Sequence, residues 1–93
     1  MPNRTNLRLP VKFAGPRQLG EIIRLARKAR GFTQSRVAGM TGTSVKFVSE
    51  VENGKETAQI GMVLRLVAIL DLGTEIFNLG APLEPEEKEY EES

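Results

Sequence analysis

Lys46, Ser49 and Glu50 lie in the stretch GFTQSRVAGMTGTSVKFVSEVENGK, residues 31–55, on a helix capped by Ser44 whose inward residues are Val48 and Val51. With those valines turned inward, Val45, Lys46, Ser49 and Glu50 share the opposite side. A lysine donor suits the acceptor edge of guanine and a glutamate acceptor suits the cytosine amino group, and neither tolerates its opposite cheaply. The chemistry on offer is recognition by hydrogen bonds. Catalysis finds almost no material, since the chain has one Asp, no His, no Cys and no glycine-rich phosphate loop with its lysine. Zinc sites, disulfides and Cys or His catalysis are thereby excluded, the sequence points to no enzyme, and no metal or cofactor is expected.

The polar face needs a scaffold, and the residues before it supply one. Thr33 is a good N-cap for a short helix with Val37 and Ala38 inward, and Thr41-Gly42-Thr43 ends it. Ser44 caps the next helix, and Asn53-Gly54 closes that one. Two short helices joined by a tight glycine turn form a helix-turn-helix, whose first helix braces on the DNA backbone while the second enters the major groove. Ala38 is small where the helices cross, and Gly42 can take the left-handed conformation the turn demands.

Charge agrees with a polyanionic partner. Residues 1–46 hold ten Arg or Lys against the single acid Glu21, while residues 84–93 hold six Glu against one Lys. Without that last segment the chain carries 12 basic and six acidic residues, a net of +6 hidden beneath a formal charge of +1. No segment approaches the roughly 20 apolar residues of a membrane span, and a cytoplasmic protein without membrane contact is expected.

The chain of 93 residues reads as one domain with three parts. Residues 1–16 form an N-terminal arm, in which Leu7, Leu9, Val11 and Phe13 alternate with polar residues or Pro10 as in an extended arm or edge strand. Residues 17–80 form the helical domain. Pro16 suits a first helical turn, the helix runs to Arg30, Gly31 stops it, and Leu19, Ile22, Ile23 and Ala26 make its apolar stripe. A fourth helix spans about residues 58–71, with Ile60, Val63, Leu64, Val67 and Leu70 as main stripe and Met62, Leu66 and Ile69 left over. Residues 74–79 have the composition of a short strand. Residues 81–93 form an acidic tail too poor in apolar residues to fold alone.

Gly31, Thr33, Gln34, Ala38, Gly42, Ser44, Val48, Ser49, Glu52, Gly54 and Lys55 stand where the lambda-repressor-like, Xre-type helix-turn-helix family places such residues. The flanking runs GPRQLGEIIRLARKARGFTQ and FVSEVENGKETAQIGMVLRLVAIL resemble the HipB-type antitoxin repressors that accompany HipA-like kinase toxins, so the likeness covers about residues 13–80. The resemblance implies an all-α bundle of four to five helices with a short C-terminal β-strand used in dimerisation. It implies a repressor of an inverted-repeat operator, the antitoxin of a type II toxin–antitoxin pair; the alternative is a stand-alone Xre-type regulator without a toxin partner.

Carried over by position, the resemblance gives Val45, Lys46, Ser49 and Glu50 to base edges and Gln34, Ser44 and Lys55 to the DNA backbone. It pairs Arg27 with Glu52 in a buried salt bridge between helices. Phe47 has two readings, a contact with thymine methyl or sugar backbone and a satellite of the core. Arg36 replaces the Glu that would complete a capping box, and a cation in the first turn opposes the helix dipole, which suggests a phosphate contact or a tolerated surface Arg. Ile76, Phe77 and Leu79 are the expected homodimer residues. Some relatives carry at the extreme C-terminus an aromatic that the toxin grips, whereas this tail ends Tyr90-Glu91-Glu92-Ser93, a departure that counts against the antitoxin implication. The acidic tail could shield the basic surface, dock on a basic partner such as a toxin, or serve only solubility.

Overall fold

A computed structural model describes residues 8–80. Its four helices are α1 (Pro16–Ala29), α2 (Gln34–Thr41), α3 (Val45–Glu52) and α4 (Ile60–Ile69). The helices start as the cap residues predict. Pro16 occupies the first turn of α1, and the Gln18 side chain reaches back to accept the Ala14 N–H. Thr33 Oγ1 accepts the Arg36 N–H and Ser44 Oγ accepts the Phe47 N–H, both at 3.0 Å.

The helices also stop alike. After α2, Gly42 turns left-handed at φ 72°, and the Thr43 N–H returns to the Ala38 carbonyl at 2.9 Å. The same six-to-one return closes α1 at Gly31, α3 at Gly54 and α4 at Asp71, where a non-glycine residue takes φ 64°. Short helices therefore end cleanly enough to change direction within two or three residues.

Ile23, Ala26, Val37, Ala38, Val48, Val51, Val63, Leu66, Val67 and Leu70 form the core, with α1 and α2 against α3 and α2 against α4. Helix α4 corrects the expected stripe. Leu66 is fully buried, whereas Ile60 and Leu64 are 68% and 48% exposed. The buried set Val63, Leu66, Val67 and Leu70 keeps three of the expected residues and is an equally valid helical stripe, rotated so that Leu66 takes the place of Ile60 and Leu64. On a helix apolar almost all round, periodicity leaves the rotational phase open, and packing against α2 settles it. The helix is also shorter than expected at both ends.

The expected strand does not form in the single chain. Residues 72–78 have no regular structure, Ile76 and Leu79 are 99% and 90% exposed, and no strand or fifth helix occurs among the described residues. A strand needs a ladder partner, and no strand ladder occurs among the described residues. The part of the arm that is described, residues 8–14, is likewise irregular. The acidic-tail expectation lies outside the described residues.

Candidate nucleic-acid interface

The outward face of α3 is set by what holds the helix from behind. Arg27, near the end of α1, grips Glu52, the last residue of α3, through two parallel bonds: Nε to Oε2 at 2.6 Å and Nη2 to Oε1 at 3.1 Å. Their side chains are 9% and 3% exposed, so the expected pair is indeed interior. Gln34 Nε2 donates a third bond to Glu52 Oε1 at 3.0 Å, and Arg27 Nη1 donates to the Phe32 carbonyl at 2.7 Å. No buried side-chain nitrogen or oxygen among the described residues lacks a partner. A buried carboxylate satisfied on both oxygens fixes α1, the entry to α2 and the end of α3 relative to one another.

The turn is held from both sides. Thr41, 2% exposed, donates its hydroxyl to the Val37 carbonyl at 2.9 Å and meets the Thr43 hydroxyl at 2.8 Å. From α4, Arg65 Nη1 donates to the Thr41 carbonyl at 3.2 Å, placing a cation at the negative end of α2. At the opposite end of α3, a methyl placed on Gly20 of α1 would stand 2.3 Å from the Val51 carbonyl oxygen. Only glycine permits that approach.

On this frame Val45, Lys46, Ser49 and Glu50 all point away from the core. Val45 is 45% exposed, Lys46 is exposed, and Ser49 and Glu50 are half-exposed, while Val48, Val51 and Glu52 on the other side are buried. The C-terminal half of this face is braced by the residues just after α3. Asn53 Nδ2 donates to the Ser49 carbonyl at 2.8 Å, and Lys55 Nζ lies 3.1 Å from Glu50 Oε1.

The remaining site residues divide. Ser44 is exposed at the start of α3 with its hydroxyl engaged as a cap, and Gln34 combines an accessible position with its bond to Glu52. Phe47 is half-buried and packs against the core, as the satellite reading expects, with part of the ring still exposed. The Arg36 guanidinium carbon lies 5.3 Å from the centre of the Phe32 ring, so this cation does have a structural return for opposing the dipole. Ile76, Phe77 and Leu79 lie apart from the helix-turn-helix, beyond α4.

Gly20, Arg65, the bond from Asn53 to Ser49 and the Glu50–Lys55 pair are not read from the sequence. Two had a signal: an isolated glycine inside a helix costs about 1 kcal/mol against alanine and implies a packing reason. Arg65 is the sole charge in the apolar run IGMVLRLVAI. Glu50 and Lys55 are five apart, outside the three- and four-residue spacings at which helical side chains meet, and only the left-handed Gly54 folds one back on the other.

Comparison with known proteins agrees with this geometry. Residues 18–76 match the helix-turn-helix domain family. An uncharacterised HTH-type transcriptional regulator, y4mF of Sinorhizobium fredii (strain NBRC 101917 / NGR234), is 35% identical over 65 residues, covering 70% of this chain and 86% of the relative. Among solved structures, chains of a HipA–HipB–O2–O3 complex and of a HipB–O4 20mer complex each superpose with a TM-score of 0.70 at 24% identity, covering 75% of this chain and 99% of theirs. At that identity the likeness concerns the fold. No helix among the described residues is long and apolar enough to cross a membrane. With its two short capped helices, left-handed glycine turn and outward polar face on α3, the chain belongs to the helix-turn-helix family of DNA-binding regulators, in the Xre, lambda-repressor-like arrangement with a HipB-like fold.

Proposed function

We propose that the chain is a sequence-specific repressor that binds an inverted-repeat operator as a homodimer and acts as the antitoxin of a HipA-like kinase toxin, autoregulating its operon in the cytoplasm. The observation that carries the DNA-reading part is the outward set Val45, Lys46, Ser49 and Glu50 on a helix clamped from behind by Arg27, Gln34 and Glu52. Gln34, Ser44, Lys55 and Arg36 flank that face and suit phosphate oxygens, which position a protein without specifying sequence. The N-terminus of α3, the positive end of its dipole, favours an anion there.

Two features support the homodimer. Ile76 and Leu79 are almost fully exposed, and an apolar groove of about 680 Å³ runs between residues 9–13 and 72–77, floored by Leu19, Ile22 and Val67. Pairing these segments across a two-fold axis covers both. Two recognition helices then meet half-sites about one helical turn, or a multiple of it, apart. The antitoxin part draws support from the likeness to HipB chains, one of them in a complex with HipA. The relative y4mF, an uncharacterised HTH-type regulator at higher identity, fits either this reading or the second one, a stand-alone regulator. A kinase-like protein encoded beside this chain and co-purifying with it distinguishes the two.

The DNA-reading assignment is tested by selecting duplexes from a random pool and measuring binding to the selected and scrambled sequences across a salt series. Lys46→Ala is expected to cost about 1–3 kcal/mol on the selected duplex and to relax one base pair per half-site. An equal loss on both duplexes overturns the assignment of this face.

A further inference from the structure

Lys55 stands after the turn that ends α3, where a cation suits a phosphate. It also closes on Glu50. The Nζ to Oε1 distance is 3.1 Å, the Lys55 N–H donates to the Glu50 carbonyl at 3.0 Å, and Gly54 at φ 85° folds the chain back to allow both. We propose that Lys55 is a specificity-determining residue: it holds and neutralises the Glu50 carboxylate on the reading face, so that base discrimination at the Glu50 position depends on Lys55. The proposal rests on α3 being the base-reading helix.

A carboxylate entering the major groove meets repulsion from phosphates on every sequence, and a flexible one can turn away from a base edge it should reject. Lys55 counters both. Its charge lies beside the carboxylate, which lowers the repulsion on all duplexes. Its bond uses Oε1, which limits the rotamers open to Glu50 and leaves Oε2 for an amino donor such as that of cytosine. An ammonium has three donors, so Lys55 can keep Glu50 and still reach a phosphate oxygen. Asn53 holds the neighbouring Ser49 carbonyl at 2.8 Å, so the turn 53–55 supports the C-terminal half of the face. The structure gives Lys46 no such tie, and its contribution stays independent of Lys55.

The test is selection from a random duplex pool with the full chain and with Glu50→Ala, Lys55→Ala, Lys55→Arg and the double variant Glu50→Ala/Lys55→Ala. Circular dichroism melts verify that each is folded. Glu50→Ala identifies the base-pair position that Glu50 reads. Lys55→Ala is expected to lower the preference at that same position by about fivefold or more, the low end of what one base contact contributes. Lys55→Arg retains the preference, and the double variant loses no more of it than Glu50→Ala does. A preference at that position left unchanged or sharpened by Lys55→Ala, with uniformly weaker binding, overturns the proposal while leaving the base-reading helix intact. A wild-type chain that enriches no sequence overturns the base-reading assignment, and this proposal with it.

Discussion

Glu50 and Glu52 are two residues apart on one helix, and each accepts from a cation. Glu52 is 3% exposed, held by both nitrogens of a guanidinium fork and by an amide; Glu50 is 34% exposed and held by one flexible ammonium. The inner pair is shielded from water, so removing one partner strands the other. The outer pair is bathed in solvent, where typical pairs contribute only about 0–1 kcal/mol. Burial therefore divides labour between two otherwise similar contacts. The inner charge positions the helix, and the outer one remains free to meet a partner.

The comparison is broken most directly by disabling the inner pair. Arg27→Met or Glu52→Leu alone is expected to cost about 3–5 kcal/mol, because an uncompensated charge remains in a dry site. The double variant costs less than the sum of the two, since no charge is then stranded. Denaturant unfolding of the three variants measures this, and single variants with unchanged midpoints would refute the role given to the network.

A smaller effect is expected at the α1–α3 contact. Gly20→Ala improves helix propensity by about 1 kcal/mol, yet its methyl would lie 2.3 Å from the Val51 carbonyl oxygen, so backbone has to move. The contact, costing about 1–3 kcal/mol, should win, for a net loss of up to about 2 kcal/mol. Because the displaced helix is the one proposed to read bases, operator affinity should fall along with the melting midpoint. A variant as stable as the parent would mean that α1 and α3 can separate freely, and that the inner side is less rigid than its hydrogen bonds imply.

These inner features differ in how far sequence reveals them. Thr33, Gly42, Ser44 and Gly54 act through their own backbone, so cap chemistry placed three of the four helices closely. The Arg27–Glu52 pair came from the family resemblance, since nothing in local spacing joins residues 25 apart. The phase of α4 was not legible, because Leu64 and Leu66 are the same residue type and only the neighbouring helices choose between them. The Gly20 crossing and the fold-back of Lys55 onto Glu50 are products of tertiary geometry. At residues 74–79 the composition favours a strand, but composition does not supply the second strand.

On the outer side the expected cost to folding is slight. Glu50→Ala should change stability by less than about 1 kcal/mol, because the pair it breaks is already screened by water. Its effect belongs to DNA discrimination. Thermal melts and duplex selection on the same preparation separate the two, and a fall as large as that of Glu52→Leu would erase the distinction between inner and outer charges.

The smallest expected change in stability comes from Arg36, a second outer charge whose contacts can be replaced almost evenly. Thr33 already makes the first half of a capping box by accepting the Arg36 N–H at 3.0 Å, and Arg36→Glu would complete it with a carboxylate that also suits the helix dipole. That gain is about 0.3–1 kcal/mol. Against it stands the loss of the guanidinium above Phe32, about 0.5–1 kcal/mol at an exposed site. The two nearly cancel, so the melting midpoint should barely move. Reversing a charge proposed to meet the DNA backbone has no such compensation, and binding should weaken on selected and scrambled duplexes alike, with a shallower salt dependence. Parallel melts and salt-series titrations distinguish the outcomes. If Arg36→Glu leaves DNA binding unchanged, Arg36 belongs with Phe32 as part of the scaffold, and the outer face that meets DNA ends at α3.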